Sequence, residues 1–281
     1  MIENQLSAEC FERFGHYLRM EERSEGTVEK YLRDVRQFMA WLGSDEVTKD
    51  AAASWKEHLL SGGYRPSTVN GKLASLNAFL VFTGRNEARV KPLKLQRKLF
   101  RDAGRELTQK EYSRLTQTAR MLGKTRLLLL METICSTGIR VSEVRYITVE
   151  AAKTGKTEVF LKGKVRTILL PGKLCQKLLM YAKKQKIASG EIYLTRSGNS
   201  LSRKQIWAEM KALCHKAGVE AMKVFPHNLR HLFATVFYRG CRDIARLADV
   251  LGHSSIETTR IYLLTTGTEH VRQLDRLGLI C

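Results

Sequence analysis

Near residue 84 the chain changes character, and this break limits the possible folds more than any other feature. Before it, apolar residues recur at helical spacing. Val28, Tyr31, Leu32, Val35, Phe38, Met39 and Leu42 form one stripe, with Glu29, Lys30, Arg33 and Arg36 off it. A second helix carries Val69, Leu73, Leu76, Phe79 and Leu80. Pro66-Ser67-Thr68 marks its start, with Ser67 or Thr68 as the N-cap. Shorter patterns at residues 11–18 and 55–60, separated by Gly43 and Gly62-Gly63, complete a four-helix unit. Residues 84–105 lose the periodicity, gain charge and hold one proline, as expected of an interdomain linker. From Glu106 the pattern is mixed. The expected organisation is a helical domain over 1–83, a basic linker over 84–105 and a second domain over 106–281.

The second domain is expected to be mainly α with a small β-hairpin. Thr108-Gln109-Lys110-Glu111 fits a capping box that opens a helix. Residues 127–134 are an apolar run that predicts a buried helix, ended by Thr137-Gly138. Strand-like stretches at 158–161 and 166–170, joined by Lys162-Gly163-Lys164, predict a hairpin with a short basic turn. Helices follow at about 173–187, 202–217, 227–239, 242–251 and 255–264.

The formal charge is +20, from 48 basic and 28 acidic residues, which points to a polyanionic partner. Residues 1–83 carry ten basic and twelve acidic residues, a net of −2. The linker carries a net of +6 and the second domain the remaining +16, so the charge sits away from the first domain. The six cysteines form no C-x-x-C pair, and Cys214-His215 has no second pair, so no metal site is expected. Neither a run of about 18 apolar residues nor a basic, apolar N-terminal leader is present, so a cytoplasmic chain without a membrane span is expected.

Three short stretches carry chemistry. Residues 137–143 read Thr-Gly-Ile-Arg-Val-Ser-Glu, residues 226–231 read Pro-His-Asn-Leu-Arg-His, and residues 251–262 run from Leu-Gly-His to Ile-Tyr. Arg140 and Glu143 share a helical face, as do His227 and Arg230. Each pair alone would pass for a solvated face, and His231 for a hydrogen-bonded structural histidine. Together they supply what a phosphodiester attacked by a side-chain hydroxyl needs. Arginines hold phosphate through paired N–H donors, histidines move protons, and a tyrosine can be a covalent nucleophile.

In order and content these boxes resemble the signature of the tyrosine recombinase (integrase) family, and residues 1–83 resemble that family's helical, SAM-like core-binding domain. The resemblance spans nearly the whole chain and is similar to simple Xer-like members without an arm-binding domain. It implies that Arg140 and Arg230 clamp the scissile phosphate, Glu143 steadies the site, and His227 serves proton transfer or phosphate binding. It further implies that His253 hydrogen-bonds the phosphate and Tyr262 is the nucleophile. The family's general-acid lysine lies on the hairpin turn. Lys162 precedes the glycine as that lysine does and is favoured over Lys164, although this turn is tighter than the usual one. Lys164, Arg65, Lys72, Arg97, Lys98 and Arg101 are candidate DNA contacts. The resemblance implies no metal and no cofactor, double-stranded DNA with inverted-repeat sites, and a homotetramer acting through a Holliday junction, with a related recombinase or an accessory protein as a further partner.

Two rivals share parts of this pattern. Residues 243–262 loosely resemble a helix-turn-helix, which would make the chain a DNA-binding regulator; the catalytic set argues against it. A type IB topoisomerase uses similar chemistry to relax DNA, but the helical first domain and the apolar residues of the tail favour recombination.

Overall fold

The computed structural model describes residues 8–95, 103–161, 164–262, 271 and 275–277. The chain is mainly helical and divides into two compact units, Met1–Arg97 and Lys98–Cys281. No helix among the described residues is long and apolar enough to cross a membrane.

The first unit contains α1 (Ala8–Met20), α2 (Glu25–Leu42), α3 (Lys49–Ser61) and α4 (Pro66–Phe82). The apolar stripe of α2 turns Val28, Val35, Phe38 and Leu42 inward. There Phe38 meets Trp55 edge-on, and Phe79 of α4 meets Phe14 in the same way. Helix α4 starts two or three residues earlier than its hydroxyl residues suggest. Arg65 is the N-cap and Pro66 the first helical residue, where a missing N–H costs nothing.

The first part of the segment expected to be an interdomain linker packs on this unit. Asn77 donates to Val90 O (2.8 Å) and accepts from Val90 N (3.1 Å). Asn70 treats Leu93 in the same way, and Ala88 is buried in the core. Two amide side chains on one face of α4 thus satisfy a backbone that no secondary structure pairs.

The first α-helix of the second unit, α5 (Gln109–Met121), opens with the capping box of Thr108 and Glu111. Helix α6 (Thr125–Thr137) is buried through Leu127–Met131 and ends at Gly138, which has φ +65°. A Cβ there would lie 2.4 Å from Phe233 Cδ1, so glycine is required for space as well as for conformation. A 3₁₀ turn (Val141–Tyr146) and α7 (Val149–Thr154) lead to β1 (Lys156–Leu161) and β2 (Lys164–Leu169). These strands pair antiparallel, with Val159 opposite Arg166, and are longer than expected; only Lys162 and Gly163 separate them. Then follow α8 (Gly172–Lys184), α9 (Arg203–Ala217), α10 (Pro226–Cys241), α11 (Ile244–Leu251) and α12 (Ile256–Arg260).

Helix α10 packs along α6 and α11. Its start is tied to residues just before α5, because Asn228 Nδ2 donates to Arg105 O at 2.8 Å. Helix α12 has five residues and ends before Tyr262, shorter than expected. That is too short to serve as a recognition helix, and Tyr262 packs back with Leu247, Leu251 and Ala234. The helix-turn-helix reading of this stretch therefore loses its structural basis.

Candidate active site

The three boxes converge on one open cleft of about 320 Å³ in the second unit, lined by Arg140, Arg203, His227, Arg230, His253 and Tyr262 among others. Each side chain arrives from an element end. Arg140 follows the glycine stop of α6, and His227 and Arg230 sit in the first two turns of α10. His253 follows Gly252, the left-handed cap of α11, and Tyr262 comes just after α12.

Glu143 organises the arginines. It is 1% exposed and accepts from the Arg140 backbone N–H (2.7 Å) and from Arg140 Nη1 (2.9 Å). Arg166 Nη1 reaches both of its oxygens, at 3.1 and 2.9 Å. The pair that could have been a surface ion bridge is therefore a buried carboxylate between two guanidinium groups. Arg140 keeps its side chain 41% exposed toward the cleft, while Arg166 is 9% exposed and also donates to Val250 O at 2.6 Å. A Cβ on Gly252 would lie 2.3 Å from Arg166 Cδ, so this glycine, at φ +62°, both ends α11 and admits the arginine.

Arg230 is buried. It donates to Gly138 O, to Leu251 O at 2.9 Å and to His253 Nε2 at 2.9 Å, joining the three boxes through one guanidinium. Burial, then repulsion from Arg140, lowers its pKa to about 10, with hydrogen bonding to Tyr262 acting the other way; it stays charged at neutral pH. Tyr262 is 4% exposed and ringed by imidazoles: His231 edge-on at 5.0 Å, His253 stacked at 6.0 Å and His227 at 6.4 Å. Burial and Arg230 also lower the pKa of His227. His253 is pushed down to about 4 by burial and by Arg230, Arg140 and Arg166. Three arginines against one carboxylate leave a net positive cleft, suited to an anion.

This electrostatic arrangement has a stability signature. Unfolded His253 takes a proton near its ordinary value of 6.5, while the folded ring refuses it until about 4. Between those values the unfolded state binds more protons, so melting temperature should fall as pH falls through that window. His253→Gln should flatten this part of the curve. Parallel melting curves for the two proteins would show that His253 is not held neutral.

Several site residues were not evident from the sequence. Arg166 occupies a strand position opposite the buried Val159, and an arginine at an inward register position was the available signal. His231 contacts the Tyr262 ring and lies 3.8 Å from Glu106. Thr259 accepts or donates at His253 Nδ1, 2.8 Å away. Of the candidate DNA contacts, Arg65 is exposed at the start of α4. Lys72 is 11% exposed, 3.7 Å from Asp34, over the Tyr64 ring and bonded to Gln37. Lys164 opens β2, and its side chain lies outside the described residues, as do Lys162, Arg97, Lys98 and Arg101. The described residues contain no cluster of three or more His, Cys, Asp or Glu able to hold a metal.

Comparison with known proteins shows the family and the fold. Residues 105–267 match the phage integrase family, and residues 11–87 match its N-terminal SAM-like domain. The chain is 30% identical to tyrosine recombinase XerA of Thermococcus kodakarensis, over 94% of this chain and 93% of the relative. It is 28% identical to tyrosine recombinase XerC of Roseiflexus castenholzii, over 85% and 83%. In fold it is similar to the crystal structure of XerA recombinase (22% identity, TM-score 0.53, 96% of this chain and 98% of that one). It is also similar to a lambda integrase dimer bound to a core site (17% identity, TM-score 0.70, 93% and 96%). The chain belongs to the phage integrase family and is a tyrosine-type site-specific recombinase.

Proposed function

We propose that this recombinase binds double-stranded DNA at inverted-repeat sites and exchanges strands through a 3′-phosphotyrosine. The observation that carries the reading is the enclosure of Tyr262 by Arg230, His227 and His253 of its own chain. The Tyr262 oxygen attacks the scissile phosphorus, the P–O5′ bond breaks, and the phosphate stays on tyrosine. Tyr262 gives up its proton within the histidine ring set, and Lys162 protonates the leaving 5′-oxygen. Arg140 and Arg230 offset the charge of the pentacoordinate transition state, and Glu143 holds Arg140 in place. The phosphotyrosine conserves the ester's energy, so a second strand's 5′-hydroxyl can reverse the reaction without ATP.

Four protomers act on two sites through a Holliday junction in this reading, in the cytoplasm. One support is the related fold of a lambda integrase tetramer solved on such a junction. Arg65, Lys72, Lys164, Arg97, Lys98 and Arg101 hold the duplex backbone, giving strong salt dependence.

The test starts from a duplex selected by binding from a random-sequence pool. Two labelled copies of that site, mixed with protein in excess EDTA and without nucleotide, should yield covalent adducts, junctions and exchanged products. Relaxation of supercoils with no junction would favour a topoisomerase. Activity lost on chelation and restored by Mg²⁺ would favour a metal-dependent nuclease.

A further inference from the structure

Thr259 is fully buried although polar, and its hydroxyl lies 2.8 Å from His253 Nδ1. The other ring nitrogen, Nε2, faces Arg230 Nη2 at 2.9 Å. A guanidinium has donors and no acceptor, so Nε2 must accept. The ring is neutral, held so by burial and three arginines. Its single proton is therefore on Nδ1 and is donated to Thr259 Oγ1. A phosphate oxygen arriving at Nε2 reverses the requirement: Nε2 must now carry the proton, and Nδ1 must accept. A hydroxyl serves both states, because it can accept and, after rotating its hydrogen, donate. Valine, of the same shape, serves neither.

We propose that Thr259 is a positioning residue of the cleavage site. It holds His253 by Nδ1, turns Nε2 into the phosphate pocket, and lets that nitrogen change from acceptor of Arg230 to donor to phosphate. This rests on the reading of His253 as a phosphate contact. A hydroxyl contributes here through the imidazole alone, which separates it from a threonine that merely fills space.

Two measurements test it. The first is the ¹⁵N spectrum of the histidine rings in the DNA-free protein. Wild type and Thr259→Ser should show His253 protonated at Nδ1 with the shift of a hydrogen-bonded N–H; Thr259→Val, whose Nε2 still faces Arg230, should keep that proton but lose the hydrogen-bonded shift. The second is single-turnover formation of the covalent adduct on the pool-selected duplex, nicked beside the cleavage point. Thr259→Val should slow this step roughly ten- to a hundred-fold, by analogy with the loss of the partner that orients a metal-bound imidazole. Thr259→Ser should restore it, and Thr259→Val should add nothing in a His253→Ala background.

If His253→Ala itself cleaves at the wild-type rate, the reading of His253 falls and the proposal with it. If His253→Ala is slow but Thr259→Val is not, the role of Thr259 alone is overturned. Equal harm from Thr259→Val with and without His253 would mean that it acts through packing, which also overturns the proposal. The wild-type spectrum decides even where the valine variant does not fold, since a proton on Nε2 in the free protein contradicts the arrangement.

Discussion

Tyr262→Phe will bind the selected duplex as wild type does and form no covalent adduct at all. The substitution removes one oxygen from a ring that packs with Ala234, Leu247 and Leu251 and is 4% exposed, so the cleft keeps its shape. What disappears is the nucleophile, and no other hydroxyl can inherit a phosphate clamped for in-line attack from that position. The measurement is a nicked suicide duplex on a denaturing gel beside a binding titration. An adduct formed by the phenylalanine variant would displace Tyr262 from its role. The geometry adds a second expectation. Tyr262 lies in the cleft of its own Arg230, so mixing Tyr262→Phe with Arg230→Lys protein should restore no cleavage. Complementation in the mixture would mean that the tyrosine is delivered to a neighbour's cleft.

The legible and illegible parts of this protein differ in how far their meaning spreads along the chain. Helix α2 could be read because its stripe is local, and Gly138 because a helix stop is local. The three boxes could be read because Arg140 and Glu143, and His227 and Arg230, each lie within one turn, and His253 and Tyr262 within nine residues. Arg166 could not, since its role depends on a carboxylate from another element and on the missing Cβ of Gly252. How residues 88–93 are held was not legible for a related reason. Their backbone is satisfied by Asn70 and Asn77, one helix away, and no periodicity announces that. The burial of Tyr262 was not legible, because its apolar neighbours lie on α10 and α11, not on its own turn.

Arg230 and Arg140 should separate catalysis from structure. Both are proposed to hold the phosphate, and deleting either should slow cleavage roughly 10²–10³-fold, the usual cost of losing one preorganised donor to transition-state charge. Binding should change far less, because those contacts tighten as negative charge builds on the phosphoryl oxygens. Their effects on stability should diverge. Arg140 is 41% exposed, and without it Glu143 is still held by Arg166 through both oxygens, so Arg140→Ala should melt near wild type. Arg230 is 3% exposed and joins Gly138 O, Leu251 O and His253; Arg230→Ala strands those acceptors and should melt lower. Lysine should rescue neither rate, since one ammonium cannot span acceptors that a planar fork reaches from two nitrogens. Adduct formation, duplex binding and melting temperature for the four variants decide the matter. A lysine variant that cleaves at the wild-type rate would remove the clamp from the mechanism, and Arg230→Ala melting like Arg140→Ala would remove the joining role of Arg230.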